Sequence, residues 1–265
     1  MPATILHLAD LHLGASHSYM GDRAAARAKE ADGALERVAE WLTGAYVGKV
    51  GAVLIAGDLF DDPRPSDALA ERVVRSLRRI EEAGIATVTL PGNHDEWTYP
   101  DGVFRRYQSA WPGRLVTESE PTIVSQLDLG GMGVEIVSCA FLQGRNPPPA
   151  QWRSPFPESR AAGVRRIGLF HGTLTQLGSF IAEGPRAFPL DLDRLAAWGL
   201  DYVALGHIHK RQDHRSGPCL AHYPGPIEGL GLSDGGSPVL TLVDLGKEPV
   251  ERTSAVAEHA PAVAA

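Results

Sequence analysis

The order of elements in this chain predicts an α/β fold. Three observations carry that expectation. An apolar strand opens the chain at TILHLA (4–9). Two more apolar strands follow at GAVLIAG (51–57) and IATVTL (85–90). Helical composition fills both intervals between them. A β-α-β-α-β order sets parallel strands side by side with their helices outside.

Each element has its own reason. TILHLA is β-branched and apolar with no helix cap before it, so it reads as a buried strand. The Ala-rich stretch from about 23 to 43 is predicted as one helix. GAVLIAG gives way to a Pro-containing loop, after which Ser66 is placed to N-cap a helix running to about Ala83. Gly84 stops that helix and IATVTL returns as strand. The second half is richer in strands: TIVSQLDL (122–129), GVEIVSCAF (133–141), RRIGLFH (165–171) and LDYVALGH (200–207), with a short helix over about 191–198. PCLAHYP (218–224) and PVLTLVDL (238–245) are weaker strands. NPPPAQWRSPFPESR (146–160) reads as a Pro-rich surface loop rather than a linker. No internal repeat is present, so one domain over 1–247 is expected, followed by a flexible Ala-, Glu- and Pro-rich tail over 248–265.

The bulk numbers narrow the class. A 265-residue chain with 43% hydrophobic and 22% charged residues suits a soluble globular protein. Two cysteines, Cys139 and Cys219, make no disulfide framework and fit a reducing, cytoplasmic setting. No basic start followed by an apolar run marks a signal peptide, and no apolar run approaches the roughly 18 residues of a membrane span. A net charge of −7 argues against binding nucleic acid by bulk charge alone. It leaves room for an enzyme that grips nucleic acid locally, because bound divalent ions would offset acidic ligands.

The polar residues fall in a pattern. Asp10 and His12 follow directly on TILHLA, and in extended chain such an i, i+2 pair projects to one side. GDLFDD puts Asp58 and Asp61 past the second strand, and PGNHDEW puts Asn93, His94 and Asp95 past the third. RRIGLFH ends in His171, and DYVALGHIH ends in His207 and His209. In open α/β sheets, ligands bind outside the carboxyl ends of the strands. One cluster of Asp10, His12, Asp58, Asn93, His171, His207 and His209 is therefore expected. Carboxylate, imidazole and amide oxygen together suit two hard or borderline divalent ions, not a closed cysteine-rich zinc site. Two such ions about 3.5–4 Å apart clamp the attacking and leaving oxygens of a phosphoryl displacement. A single Asp or His after a strand is more often a cap or turn residue; five strands ending in ligand-type residues exceed turn chemistry. His7 reads as a packed strand residue, while His214, His222 and His259 read as surface or supporting residues.

DLH, GDLFD, GNHD, a lone His after a strand and GHIH, in that order, resemble the signature of the calcineurin-like metallophosphoesterases over roughly 4–229. The resemblance implies a two-sheet β-sandwich flanked by helices (α/β/β/α) with a dinuclear centre at one sheet edge. By position, Asp10, His12 and His209 resemble the ligands of one metal. Asn93, His171 and His207 resemble those of the other, and Asp58 resembles the carboxylate bridging both. His94 resembles the histidine that contacts phosphate and protonates the leaving oxygen. Asp61 takes the position whose side chain orients that histidine. The implied enzyme hydrolyses phosphoesters through a metal-bridging hydroxide. Two divalent ions are implied, Mn2+ first, with Fe, Zn or Mg as alternatives.

HLADLHLG, GDLFD followed by PRPS, LPGNHD, DYVALGHIHKRQ and YPGPIEGL are similar to the SbcD-type DNA repair nucleases, in which a basic pair and a YPG turn follow GHIH. Lys210 and Arg211, then 223–225, take those places. The resemblance implies endo- or exonuclease action on DNA, single-stranded or at ends. Nucleases of this type also carry a DNA-contacting cap and a helical segment that docks on a coiled-coil ATPase. Here about forty residues follow the YPG turn, so a minimal stand-alone enzyme is expected, without docking to an SbcC-like ATPase. The alternative is a phosphodiesterase of small substrates such as cyclic nucleotides or nucleotide derivatives, which would share the same site chemistry. A non-catalytic scaffold is disfavoured because every ligand position and His94 are intact. Arg145, Lys210, Arg211 and His17 are the candidate substrate contacts. Trp97, Tyr99 and Trp111 are expected to pack in the core, with base stacking as their alternative. No motif sets the oligomeric state.

Overall fold

A computed structural model describes residues 2–147, 149–178, 188–229, 239–247 and 250–256. Strand β1 (Thr4–Leu8) leads through a 3-10 segment (Ser18–Arg23) to α1 (Ala24–Asp32) and α2 (Ala34–Thr43). The elements β2 (Ala52–Ala56), α3 (Asp67–Glu82) and β3 (Ala86–Leu90) complete the predicted opening. Then come α4 (Val103–Arg106), β4 (Arg114–Leu115), β5 (Thr122–Leu129), β6 (Met132–Ser138), β7 (Arg165–His171), β8 (Thr173–Leu174) and β9 (Pro189–Leu190). The chain continues as α5 (Leu192–Ala197), β10 (Tyr202–Gly206), β11 (Gln212–Ser216), β12 (Cys219–Tyr223), β13 (Val239–Asp244) and β14 (Glu251–Val256).

Two six-stranded sheets result, in the orders β14-β13-β1-β2-β3-β4 and β11-β12-β10-β7-β6-β5. Strands β1 to β4 run parallel, with β13 and β14 antiparallel at one side. In the second sheet β6, β7, β10 and β12 are parallel, with β5 and β11 antiparallel at the flanks. Strand β2 packs across β7 and β10, so the sheets meet face to face as the two-sheet sandwich requires.

Side-chain alternation divides the second sheet between two cores. Ile167, Leu169, Tyr202, Ala204 and Leu220 point into the large core shared with the first sheet. Phe170, Val203, Leu205, Ala221 and Tyr223 point into a second core on the opposite face. Helices α2 and α3 cover the first sheet with apolar stripes at helical spacing: Leu35, Val38, Ala39 and Leu42 on one, Leu69, Val73, Leu77 and Ile80 on the other. Ser66 caps α3 as its position predicts, its hydroxyl accepting from Leu69 N at 3.3 Å.

Three expectations are corrected. The single helix over 23–43 is two helices broken at Gly33, the residue with the weakest helix preference in that stretch. The Pro-rich segment 146–160 is a loop whose described residues do not all lie at the surface. Its Trp152 and Phe156 are buried against Phe170, Phe188 and Trp198 and close the second core. Within the expected tail, Glu251–Val256 is a strand that pairs antiparallel along the whole of β13. Residues 257–265 lie outside the described residues. Among the described residues no helix is long and apolar enough to cross a membrane.

Candidate metal centre

Parallel strands share an edge. Asp10 stands two residues past β1, Asp58 two past β2 and Asn93 three past β3, while His171 ends β7 and His207 follows β10. The face-to-face packing brings both edges together. His171 ties them directly: its Nδ1 donates to the carbonyl of Ala56, the last residue of β2, at 2.9 Å. A carbonyl only accepts, so in the neutral ring Nε2 is the atom with the lone pair. That atom faces Asp58 Oδ2 at 3.3 Å and Asn93 Oδ1 at 2.9 Å. Asn93 Oδ1 also lies 2.8 Å from His207 Nδ1.

A second convergence adjoins the first. His12 Nδ1 donates to Asp61 Oδ1 at 3.0 Å, which leaves Nε2 as its acceptor. Nε2 lies 3.2 Å from His209 Nε2 and 3.6 Å from Asp58 Oδ2. Asp10 accepts the backbone N–H of His207 on Oδ1 at 2.8 Å, while its Oδ2 is buried with no hydrogen-bond partner. Asp10, His12 and His209 form one group whose ligand atoms all lie within 4.8 Å of one another, and Asp58, His171 and His207 form another. His12, Asp58 and His94 bridge them as a third such group. All seven predicted ligand residues thus meet at one place.

The donor set fits divalent cations. Imidazole nitrogens, carboxylate oxygens and the Asn93 amide oxygen converge, and one buried carboxylate oxygen, Asp10 Oδ2, has no hydrogen-bond partner. The field tells the same story. Burial works against a charged His171, yet Asp58 and Asp10 pull its imidazole up to about 9. Burial also works against His12, and the Asp61 hydrogen bond with Asp58 and Asp10 outweighs it and raises the ring. Burial raises the Asp10 carboxyl, whereas at Asp58 the surrounding His171, His12 and His94 overcome burial and hold the carboxyl well below the usual range. The pocket is short of positive charge, and two divalent ions held by Asp10, His12, Asp58, Asn93, His171, His207 and His209 would supply it.

The glycines before these ligands have a steric reason beyond turn formation. A Cβ on Gly92 would lie 2.2 Å from Asp58 Oδ1, and one on Gly206 would lie 1.9 Å from Ala56 O. Both crossings need bare backbone.

His94 sits differently from the buried ligands, with 32% of its side chain exposed. Its backbone N–H donates to Asp58 Oδ1 at 2.9 Å and its Nδ1 donates to the backbone carbonyl of Asp61 at 2.9 Å. Nε2 is therefore the free atom of an accessible ring beside the cluster. The Asp61 carboxylate, expected to orient His94, lies 3.7 Å from His94 Nδ1 and 3.0 Å from His12 Nδ1, so its side chain hydrogen-bonds His12 while its backbone carbonyl hydrogen-bonds His94. Sequence reasoning also passed over Asp95 as a support. Its carboxylate accepts Gly92 N at 2.7 Å and Phe60 N at 3.0 Å, tying together the two loops that carry Asn93 and Asp58. Burial first, then Asp58, pushes the Asp95 carboxyl up to about 7. The signal was its place directly after Asn93 and His94.

The candidate substrate contacts diverge. Lys210 is exposed directly after His209, and Arg145 is exposed on a turn that Glu96 anchors through the backbone N–H of Gln143 at 3.1 Å. Arg211 is half-buried and donates to Thr241 Oγ1 at 3.2 Å, a contact between the two sheets. His17 is buried, with φ 49° and no hydrogen-bond partner on either ring nitrogen. Trp97 and Trp111 are buried as expected.

Comparison with known proteins follows the same lines. The family described as calcineurin-like phosphoesterase matches residues 3–211. The uncharacterized metallophosphoesterase YhaO of Bacillus subtilis is 31% identical over 258 residues, covering 91% of this chain and 57% of that protein. The DNA double-strand break repair protein Mre11 of Aeropyrum pernix is 27% identical over 264 residues, covering 93% and 59%. The chain thus spans little more than half the length of these relatives. Among solved structures, the phosphopantetheinyl hydrolase of Mycobacterium tuberculosis superposes with a TM-score of 0.48 at 12% identity, covering 84% of this chain and 89% of that one.

Proposed function

The chain belongs to the calcineurin-like phosphoesterases, and on that premise we propose that it is a two-metal phosphodiesterase that hydrolyses DNA phosphodiester bonds. The carrying observation is the pair of adjoining donor groups, Asp10/His12/His209 and Asp58/His171/His207, with His94 presenting a free Nε2 beside them. Divalent ions bound there, Mn2+ foremost and Fe, Zn or Mg as alternatives, would neutralise phosphoryl charge and acidify a water into a nucleophile. The residues do the rest. Asp58, shared between the groups, sets their spacing. Asn93 supplies a neutral oxygen that leaves the substrate's negative charge uncontested. His94 presents an accessible Nε2 beside the donor groups and is the candidate for giving a proton to the leaving oxygen.

DNA as substrate is supported by the SbcD-like run GHIHKRQ with its YPG turn. It is also supported by relatives named as DNA double-strand break repair protein Mre11. The net charge of −7 favours the second reading, a phosphodiesterase of small esters such as cyclic nucleotides. Cleavage assays separate them: linear and circular single-stranded DNA with Mn2+, beside bis-p-nitrophenyl phosphate and a cyclic nucleotide. The expected outcome is DNA cleavage that disappears in Asp58→Ala, with cut circles identifying endonuclease action. Turnover of only the small esters overturns the nuclease reading.

A further inference from the structure

Asp61 stands where a carboxylate is expected to serve the proton donor, yet its side chain is committed elsewhere. Its Oδ1 accepts from His12 Nδ1 at 3.0 Å, and His94 Nδ1 is served by the residue's backbone carbonyl at 2.9 Å. The backbone fixes this division. Asp61 N donates to the carbonyl of Leu13 at 3.0 Å, and Leu13 N donates to Leu59 O at 3.0 Å, an isolated parallel bridge between the loops after β1 and β2. The carboxylate is thereby carried toward His12 rather than toward the loop after β3. His12 itself has φ 45°, a backbone state that persists only where the surroundings impose it.

We propose that the Asp61 side chain is a positioning residue for one metal ion of the pair, acting through His12, and that it does not orient the His94 proton donor. The inference rests on the two-metal reading above. A carboxylate bonded to Nδ1–H fixes the tautomer that leaves Nε2 free, aims that lone pair and makes it more basic. Only the ion held by Asp10, His12 and His209 gains from this. The ion held by Asn93, His171 and His207 does not, because His171 draws the same service from Ala56 O. His94 keeps its Nδ1 acceptor whatever side chain stands at position 61.

The test is Mn2+ titration of the metal-free protein by calorimetry for the wild type, Asp61→Ala and Asp61→Asn, with turnover of bis-p-nitrophenyl phosphate followed at rising Mn2+. The expected result is that Asp61→Ala weakens one of two Mn2+ ions about 10- to 100-fold and leaves the other in place. Asp61→Asn, whose side-chain oxygen still accepts from Nδ1–H, recovers most of that affinity. Excess Mn2+ restores turnover in Asp61→Ala with the pH profile of the wild type. A variant that binds both ions normally yet stays slow at saturating Mn2+, with an altered pH profile, overturns the inference and returns Asp61 to the proton donor. Equal weakening of both ions also overturns it. Wild-type protein that binds no Mn2+ or only one ion overturns the two-metal reading itself, an outcome distinct from either.

Discussion

Four of the residues that offer ligand atoms hold left-handed backbone: Asp10 at φ 54°, His12 at 45°, Asp58 at 49° and His207 at 99°. Such conformations cost of order 1–3 kcal/mol each for residues other than glycine and persist only where the surroundings impose them. Here each stands just past the end of a strand, where the donor groups converge. His94 is the exception in kind, since it is partly exposed and anchored through both its backbone and its Nδ1. That arrangement predicts a clean separation of roles. His94→Ala should retain both metal ions by elemental analysis while turnover falls about 10²- to 10⁴-fold, the usual worth of a positioned acid. Undiminished turnover in that variant removes His94 from proton delivery.

At the scale of elements, the site depends on how closely strand ends cross. Gly206 ends β10 where a Cβ would fall 1.9 Å from the last carbonyl of β2. Its neighbour in the ladder is His171, paired across β10 and β7. Gly206→Ala cannot be absorbed by a side-chain rotation, because the obstacle is backbone. The expected cost is about 3 kcal/mol, at the upper end of overpacking penalties. For a chain of this size that is a fall in Tm of roughly 6–12 °C, read by calorimetry or circular dichroism. Mn2+ affinity should fall with it, because widening the β2–β10 crossing moves His171 and His207 away from Asp58. An unchanged Tm would show that the sheets have slack at this edge.

Across the whole molecule, a buried polar network joins the sheets behind the metal pocket. His7 of β1 pairs through Nδ1 with the Tyr202 hydroxyl at 2.8 Å. His222 of β12 lies edge-on to His7, bonds to Asp213 at 2.6 Å and reaches Thr241 at 3.2 Å. Burial first, then Arg252, pushes the His222 imidazole down to about 4, while burial and His222 lower His7. The unfolded chain protonates such histidines near pH 6.5. Between about pH 6.5 and 4 the unfolded state therefore binds protons that the fold refuses, and stability falls as pH falls through that window. Urea midpoints against pH should show this slope, and His222→Gln should flatten it by about one proton. An equally steep slope in that variant would place the acid sensitivity elsewhere. Periodicity and chain direction, which are local, were enough to read the three opening strands, the helix capped by Ser66, and the polar residues that stop each buried run and so the seven ligand candidates. They also placed His94 beside them. Only the tertiary structure decided what depends on contacts far apart in sequence. Gln212–Ser216 and Glu251–Val256 are strands because β12 and β13 offer them ladders, not because their own residues are apolar. Trp152 and Phe156 enter the second core beside Phe188, Leu192, Leu195 and Trp198, which cover the outer face of β7 and β10 with them. Arg211 is half-buried in a contact between the two sheets. The Asp61 carboxylate meets His12 because a backbone bridge from Leu13 fixes where its loop stands, a geometry that spacing within one loop does not contain.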